Sequence, residues 1–315
     1  MTHSVDEVRE FIRGHDDFCI TGHISPDGDA VGSCLGLGLA LEKMGKRVKV
    51  LLEPYHDRFN VIPGRHLLVD DFDKGDTLIC VDCADAGRLM DSPKEFGIAL
   101  CIDHHYTNTN FAKLNFVDGT ASSACEMVYR VLDGFAAIDA DAAAALYAGM
   151  VSDTGGFRHN ATGQATLQAS AKLMATGIPF TEIYTELVHL KSYTELKLLG
   201  RVLDASKRSA DGKVVYACVT KEIFAGASVA DLEGVVEILL NTRGAKVSVL
   251  AYEREKKNDV KVSLRSRSVS VGDVALKFGG GGHQFAAGAN VAGGSVFEVC
   301  EKVLVEVHDA LSRYS

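Results

Sequence analysis

The chain has 315 residues, of which 47% are hydrophobic and 24% are charged, and its formal net charge is −9 at pH 7. This length predicts two domains, because single cores stop growing at about 250–300 residues. The acidic balance argues against a broad basic surface for long nucleic acid, and no apolar run is long enough to cross a bilayer. The polar, acidic N-terminus is unlike a signal peptide, so we expect a cytoplasmic protein that does not contact a membrane.

The first half of the chain predicts an α/β domain with a parallel sheet and helices on both faces. Between about residues 16 and 105, short β-branched runs alternate with helical patterns. Residues 29–44 predict a helix, residues 46–52 predict a strand, and residues 122–189 are mainly helical in pattern. Two of the helix starts carry candidate N-cap residues, which are Ser122 or Ser123 and Thr162.

The second half predicts a smaller, mixed α+β domain. Residues 192–209 form a charged helical pattern that ends in an Asp211–Gly212 turn, and we interpret it as a connector. Strands are predicted at 213–220, 246–253 and 260–268, and helices at 232–240, 271–277 and 295–311. We therefore expect a catalytic domain at 1–190, a helical linker at 191–211 and a substrate-binding domain at 212–315.

Four segments rich in acids and histidines each follow an apolar run, and they carry the main functional signal. In open α/β sheets, ligands bind beyond the carboxyl ends of the strands, so we expect these side chains to converge on one crevice. The preceding apolar runs are 18–21, 77–81, 98–102 and the helix-like stretch 146–151. The segments contribute His23, Asp27 and Asp29; Asp82 and Asp85; Asp103, His104 and His105; and Asp153.

Each segment taken alone also fits a structural interpretation, as a turn, a helix cap or a solvated histidine pair. Together they favour a metal site, since mixed histidine and carboxylate ligands suit manganese, magnesium, iron or zinc. The oxygen-rich balance leans toward manganese or magnesium. Adjacent histidines on an extended chain point in different directions, so one of His104 and His105 can bind metal while the other faces substrate. Two ions about 3.5–4 Å apart would need a bridging carboxylate.

A glycine run near the C-terminal end, at residues 279–282, directly precedes His283. Glycines let backbone N–H groups approach an anion closely, so the run predicts a phosphate or nucleotide cradle; a flexible linker is the alternative. Arg265 and Arg267 lie at the end of a predicted strand, where they could bind phosphate or remain solvated.

The eight cysteines mostly lie inside apolar patterns, as reduced core thiols do. Cys80 and Cys83 have the spacing of a zinc or redox motif. No second cysteine pair accompanies them, so we interpret both as structural.

Five motifs, taken in their order along the chain, resemble those of the DHH phosphoesterase superfamily with its DHH-associated C-terminal domain. Within that superfamily the chain is most similar to the group of nano-RNases and 3′-phosphoadenosine 5′-phosphate phosphatases. The motifs are His23-Ile24-Ser25-Pro26-Asp27-Gly28-Asp29, Val81-Asp82, Asp103-His104-His105, Ser152-Asp153-Thr154-Gly155 and Gly279-Gly280-Gly281-Gly282-His283. The resemblance implies an active site in the cleft between the two domains.

The resemblance also implies a role for each site residue. One metal ion would be held by His23, Asp27 and Asp82, and the other by Asp29, Asp82, His104 and Asp153, with Asp82 as the bridge. His105 would contact the scissile phosphate and assist proton transfer, while Asp103 orients the histidine pair. The residues expected to bind substrate are Arg158, Arg265, Gly280, Gly281, Gly282 and His283.

The activity implied is manganese-dependent hydrolysis of short oligoribonucleotides, linear dinucleotides and 3′-phosphoadenosine 5′-phosphate through a metal-bridging hydroxide. The far end of a short RNA would be held by the C-terminal domain while its 5′-terminal linkage meets the metals, so long duplexes are not expected as partners. One alternative is hydrolysis of cyclic dinucleotides, and another is a nucleotide-sensing module without turnover. Homodimers through the N-terminal domain fit the family, although no surface is indicated.

Overall fold

A computed structural model describes residues 2–254 and 259–313, apart from the side chain of His283. The chain divides into two compact units, Met1–Leu190 and Lys191–Ser315. None of the helices within the described ranges combines the length and the apolar character that crossing a membrane requires. Several expectations stay predictions, which are the catalytic and substrate-binding roles of the two halves, the helical linker and the cleft.

The first unit is built on a five-stranded sheet in the order β2-β1-β3-β4-β5, in which every pairing is parallel. The strands are β1 Asp17–Thr21, β2 Arg47–Leu51, β3 Thr77–Val81, β4 Leu100–Asp103 and β5 Leu114–Val117. Because parallel strands all point the same way, their carboxyl ends lie along one edge of the sheet. The predicted parallel α/β architecture is confirmed.

Helices cover both faces of this sheet. They are α1 Val5–Arg13, α2 Gly28–Lys43, α3 Asp91–Phe96, α4 Ala124–Leu132, α5 Ala140–Asp153, α6 Gln164–Met174 and α7 Phe180–Tyr184. Short 3-10 helices at Asp57–Val61, Arg65–Leu67 and Ala86–Arg88 and a π-helix at Thr185–His189 complete the unit. The larger core lies under α1, α2, α4 and α5, and a smaller core covers the other face. There the α3 residue Phe96 has its ring 5.4 Å from that of Phe72.

At Gly32, helices α2 and α5 pack against each other with no side chain between their backbones. Gly28, Gly32 and Gly36 recur every fourth residue and so share one face of α2. A Cβ atom built on Gly32 would lie 2.6 Å from the carbonyl oxygen of Ala145 and 2.9 Å from the nitrogen of Gly149. This close approach fixes the start of α2 relative to α5.

Two predicted N-caps have different outcomes. Ser123 caps α4, since its Oγ accepts a hydrogen bond of 3.0 Å from Glu126 N, whereas Ser122 donates to the Glu126 carboxylate. The prediction for Thr162 is wrong, because α6 begins one residue later with Gly163 at the cap. Thr162 instead closes the preceding turn, with its N–H donating to His159 O over 3.0 Å.

The second unit has a six-stranded sheet in the order β10-β11-β9-β8-β7-β6, and β7/β8 is its one parallel pair among the described strands. Its strands are β6 Lys207–Arg208, β7 Val214–Val219, β8 Val247–Glu253, β9 Asp259–Ser266, β10 Gly281–His283 and β11 Ala286–Ala292. Its helices are α8 Tyr193–Ala205, α9 Lys221–Phe224, α10 Val235–Leu240, α11 Val271–Leu276 and α12 Val296–Arg313, with a 3-10 helix at Ala230–Leu232. The mixed α+β prediction is confirmed. Helix α8, expected as the connector, buries Leu198 and Val202 in the core of this unit.

We expect Gly32→Ala to lower the free energy of unfolding by about 1–3 kcal/mol, because the added methyl group overpacks the α2–α5 contact. The matched control is Gly200→Ala in α8, where a Cβ meets nothing within 4 Å. This substitution should raise the free energy of unfolding by roughly 0.5–1 kcal/mol. Differential scanning calorimetry of both variants measures the effects. Equal changes in the two variants would contradict the close packing.

Candidate metal centre

The six side chains predicted as metal ligands come together at the carboxyl edge of the first sheet. His23 follows β1, Asp82 follows β3 and His104 follows β4. Asp29 lies in the first turn of α2, and Asp153 is the last residue of α5. Within the described residues, ligand atoms lie within 4.8 Å of one another in three sets, which are His23, Asp27 and Asp82; Asp29, His104 and Asp153; and Asp82, His104 and His105.

His23 turns one ring nitrogen toward the acids. Its Nε2 lies 3.5 Å from Asp82 Oδ2 and 3.9 Å from Asp27 Oδ1. Its Nδ1 lies 2.8 Å from the carbonyl oxygen of Ile24. Because a carbonyl can only accept, Nδ1 carries the hydrogen, and in the neutral ring Nε2 offers its lone pair to a cation.

His104 occupies the equivalent place on the other side of Asp82. Its Nε2 lies 3.4 Å from Asp82 Oδ1, 3.8 Å from Asp29 Oδ2 and 3.8 Å from Asp153 Oδ2. Asp82 thus directs one carboxylate oxygen to each histidine, and its backbone adopts a left-handed conformation with φ of 58°. This is the arrangement expected of a bridging carboxylate.

Backbone N–H groups at the starts of two helices donate hydrogen bonds to two of the acids. The carboxylate of Asp29 accepts hydrogen bonds from the backbone N–H groups of Ala124 (2.6 Å) and Cys125 (3.0 Å), in the first turn of α4. Asp27 Oδ1 accepts from Asp29 N (2.9 Å) and Ala30 N (3.1 Å), so Asp27 caps α2. The cap interpretation is confirmed for Asp27, and a carboxylate that caps a helix still has a second oxygen for a cation.

The charges in this cluster are unbalanced. Burial alone would lower the pKa of His104, but contact with Asp82 and the charges of Asp29 and Asp153 outweigh it and raise that pKa to about 10. Burial would also lower the pKa of His23, but contact with Asp82 outweighs burial and raises that pKa to about 9. Burial, together with the charges of Asp82 and Asp153, raises the pKa of Asp29 well above its ordinary value. The site therefore favours added positive charge.

The donor atoms fit divalent ions. Asp82 is 2% exposed, and its Oδ1 has no hydrogen-bond partner within the described part of the chain. A buried, unpartnered carboxylate oxygen is costly unless a cation binds it. Carboxylate oxygens with imidazole nitrogens form a donor set for manganese, magnesium, iron or zinc.

His105 borders the same cluster and is held by buried groups. Its Nδ1 lies 2.8 Å from Asp103 Oδ1 and 3.7 Å from Asp82 Oδ1. Asp103 is fully buried, and its Oδ2 accepts a 2.6 Å hydrogen bond from Asn108 Nδ2. Asn108 could not be identified from the sequence, because an amide five residues beyond the acid gives no recognisable signal.

Arg158 and His159 hold the turn that follows Asp153. Arg158 is exposed, and its Nε donates to the Gly155 carbonyl oxygen over 2.7 Å. His159 Nδ1 lies 3.0 Å from the backbone oxygen of Asp153, a contact that the sequence does not predict. The predicted substrate role of Arg158 stays a prediction.

The glycine run of the second unit leads from a turn at Gly279 into strand β10, which contains Gly281 and Gly282. β10 pairs with β11 in a hairpin, and a Cβ on Gly280 or Gly282 would overlap the backbone of β11. A Cβ on Gly281 would meet nothing within 4 Å. Close strand pairing thus accounts for two of the glycines, and the predicted phosphate or nucleotide cradle stays a prediction. The His283 side chain lies outside the described residues, and the predicted substrate contacts stay predictions.

The two arginines near this hairpin have partners in the same unit. Arg265 Nε lies 2.6 Å from Glu237 Oε1, and its Nη1 donates to Leu264 O over 3.0 Å. Arg267 Nη2 donates to Asn241 Oδ1 over 2.8 Å. A phosphate contact by either arginine would add to these interactions or replace them.

Comparison with known proteins identifies relatives along nearly the whole chain. Residues 17–150 match the N-terminal domain of the DHH family, and residues 211–312 match the DHHA1 domain. The chain is 35% identical to the bifunctional oligoribonuclease and PAP phosphatase NrnA of Thermus thermophilus, over 98% of this chain and 94% of the relative. It is 29% identical to the protein of that name from Bacillus subtilis, over 90% and 92% of the two chains. A crystal structure of an exopolyphosphatase-related protein from Bacteroides fragilis superposes with a TM-score of 0.87 at 28% identity, covering 96% of this chain and 95% of that chain.

Loss of a residue that only hydrogen-bonds to a metal ligand lowers metal affinity by about 10- to 100-fold. We expect Asp82→Asn to weaken Mn²⁺ binding by more than this. The amide keeps the shape of the side chain but removes the charge between the two histidines. Asp85→Asn is the matched control, because Asp85 lies in the same loop but accepts a hydrogen bond from Gly87 N in a turn. Isothermal titration of metal-free protein measures affinity and stoichiometry. Equal Mn²⁺ binding by both variants would exclude a bridging Asp82.

Proposed function

Since this chain belongs to the DHH family of phosphoesterases, with a DHHA1 domain at its C-terminal side, we propose that it hydrolyses short oligoribonucleotides and 3′-phosphoadenosine 5′-phosphate with two bound divalent ions. The observation that carries the proposal is Asp82, whose two carboxylate oxygens face His23 and His104. The NrnA proteins that the chain resembles are named for both activities, which supports the choice of substrates.

We assign one ion to His23, Asp27 and Asp82, and the other to Asp29, Asp82, His104 and Asp153. Manganese is the proposed metal, because four carboxylates with two imidazoles suit it, and magnesium is the nearest alternative. When bound, such ions supply a water of lowered pKa and neutralise phosphate oxygens. The chain's own task is to hold these six ligands rigidly, which the helix amides at Asp29 and the backbone oxygen at His23 support.

His105 is the proposed catalytic residue for proton transfer. Asp103 accepts the hydrogen on Nδ1, so the neutral ring has its lone pair on Nε2 and the protonated ring has an acidic hydrogen there. Contact with Asp103 and the charge of Asp82 outweigh burial and raise the pKa of His105, which favours the protonated ring. A protonated His105 can donate a hydrogen bond to a phosphate oxygen or a proton to the leaving oxygen.

The second unit is proposed to bind the part of the substrate that does not react. Its candidate contacts are Arg265, Gly280, Gly281, Gly282 and His283. A net charge of −9 disfavours the extended phosphate contacts that a long duplex would need, which supports short substrates. A homodimer remains compatible with the proposal and is not required by it.

A side-by-side assay of purified full-length protein with Mn²⁺ tests the substrate class. We expect mononucleotide release from di-, tri- and pentanucleotide RNA and phosphate release from 3′-phosphoadenosine 5′-phosphate. Much slower turnover is expected for a long RNA duplex and for cyclic dinucleotides. Chromatography of the products identifies the bond that is cleaved. If cyclic dinucleotides were hydrolysed fastest, the alternative activity would replace this one, and if Asp82→Asn kept full activity, the proposed centre would be wrong.

We expect His105→Ala to lower kcat by roughly 10²- to 10⁴-fold, because general acid–base catalysis contributes that much. Asp103→Asn should lower kcat by about 10- to 100-fold, since Asp103 positions the ring without touching the substrate. In both variants Mn²⁺ stoichiometry should stay at the wild-type value, which separates proton transfer from loss of the centre. A fall in Mn²⁺ stoichiometry in His105→Ala would instead make His105 a metal ligand.

A further inference from the structure

A small cavity in the second unit lies between the sheet and its C-terminal helix, and it takes no part in the proposed phosphoesterase site. It has a volume of about 180 Å³. Strand β7 contributes Tyr216 and Cys218 to its wall, and helix α12 contributes Cys300. Lys207 and Phe297 also line it, and the Phe297 side chain is 54% exposed. The cavity thus combines two thiols with an ammonium group.

The two thiols differ in access. Cys218 is half-buried, while Cys300 and the other six cysteines are buried. Both thiols line the same cavity, and Cys218 packs against the core cluster that contains Cys300. A small reagent that enters the cavity would therefore meet the more accessible Cys218, and a second sulfur lines the same cavity.

The charges around the cavity also distinguish the two thiols. The hydrogen bond from Cys300 lowers the pKa of Cys218 although burial opposes it, and the Lys207 ammonium adds to the lowering against the charge of Glu301. The same hydrogen bond, together with burial, raises the pKa of Cys300. A thiolate is the nucleophilic form of cysteine, so Cys218 is the attacking sulfur and Cys300 the one that resolves the product.

We propose that Cys218 and Cys300 are an oxidisable pair, which a hydroperoxide converts into a disulfide that ties β7 to α12. The Cys218 sulfur attacks one peroxide oxygen, the O–O bond breaks, and Cys218 becomes a sulfenic acid while hydroxide takes up a proton. The Cys300 sulfur then attacks the sulfenic sulfur, the S–O bond breaks, and the oxygen leaves as water with the thiol proton. With hydrogen peroxide, two thiols and one peroxide give one disulfide and two waters.

Cys80 and Cys83 serve as an internal comparison, because their spacing in the sequence is that of a redox motif. Both are 0% exposed, and the Cys83 thiol donates to the backbone oxygen of Asp85 over 3.1 Å. Neither therefore has the access to a small reagent that Cys218 has. Of the two pairs, only the one that is 82 residues apart in the chain, at positions 218 and 300, thus has a half-buried member, Cys218.

The test uses folded, reduced, full-length protein treated with hydrogen peroxide, then denatured, alkylated and mapped by mass spectrometry without reduction. We expect a single linked peptide pair, Cys218 with Cys300, which dithiothreitol reverses, and alkylated thiols at the other six positions. In Cys300→Ser, the sulfenic acid should persist on Cys218 and be trapped by dimedone. Cys218→Ser should show neither product.

Two results would overturn the proposal. One is that Cys218 and Cys300 both remain free at peroxide concentrations that oxidise the unfolded chain. The other is a disulfide between Cys80 and Cys83 in place of the expected link. Because the mapping is done on the wild-type chain, neither result depends on the folding of a variant, and phosphoesterase activity plays no part in the readout.

Discussion

Repulsion between carboxylates is the constraint on which the first unit depends. Four aspartates share one region at the end of a sheet, and like charges so close together cost free energy at low local dielectric. The fold opposes that cost with the amides at the start of α4, which bind Asp29, and with two imidazoles that face Asp82. These groups hold the acids in place without balancing their charge, and the divalent ions that we propose would supply that balance.

Much of this arrangement could be predicted from the sequence, because parallel strands impose it. An apolar run followed by acids marks a strand end, and strand ends of a parallel sheet share an edge. Residues as far apart as His23 and His104 could therefore be assigned to one crevice without any structure. Asp29 and Asp153 lie on helices α2 and α5. Their proximity also relies on the α2–α5 contact, where Gly32 lies against Ala145 and Gly149. That contact could not be predicted, since evenly spaced glycines do not identify the helix that packs on them.

The groups that escaped prediction act through the backbone or through distant partners. The N–H groups of Ala124 and Cys125 bind Asp29, and any residue type could supply them. The glycine run was ambiguous for a related reason. Glycine allows close approach of a ligand or of another strand, and only the pairing of β10 with β11 shows that a strand takes up that space at Gly280 and Gly282. For Asp27 the two interpretations do not exclude each other, because the same side chain is a helix cap and a candidate metal ligand.

The left-handed backbone of Asp82 restricts which residues this position can accept during evolution. A φ of 58° is tolerated by glycine, asparagine and aspartate, and it costs other residues about 1–3 kcal/mol. The proposed metal bridge would select aspartate from that short set, since asparagine lacks the charge and glycine lacks the oxygens. Descendants that lose hydrolysis but keep the fold should therefore carry asparagine or glycine here far more often than alanine. Such a substitution would mark a catalytically silent branch that still has an intact scaffold.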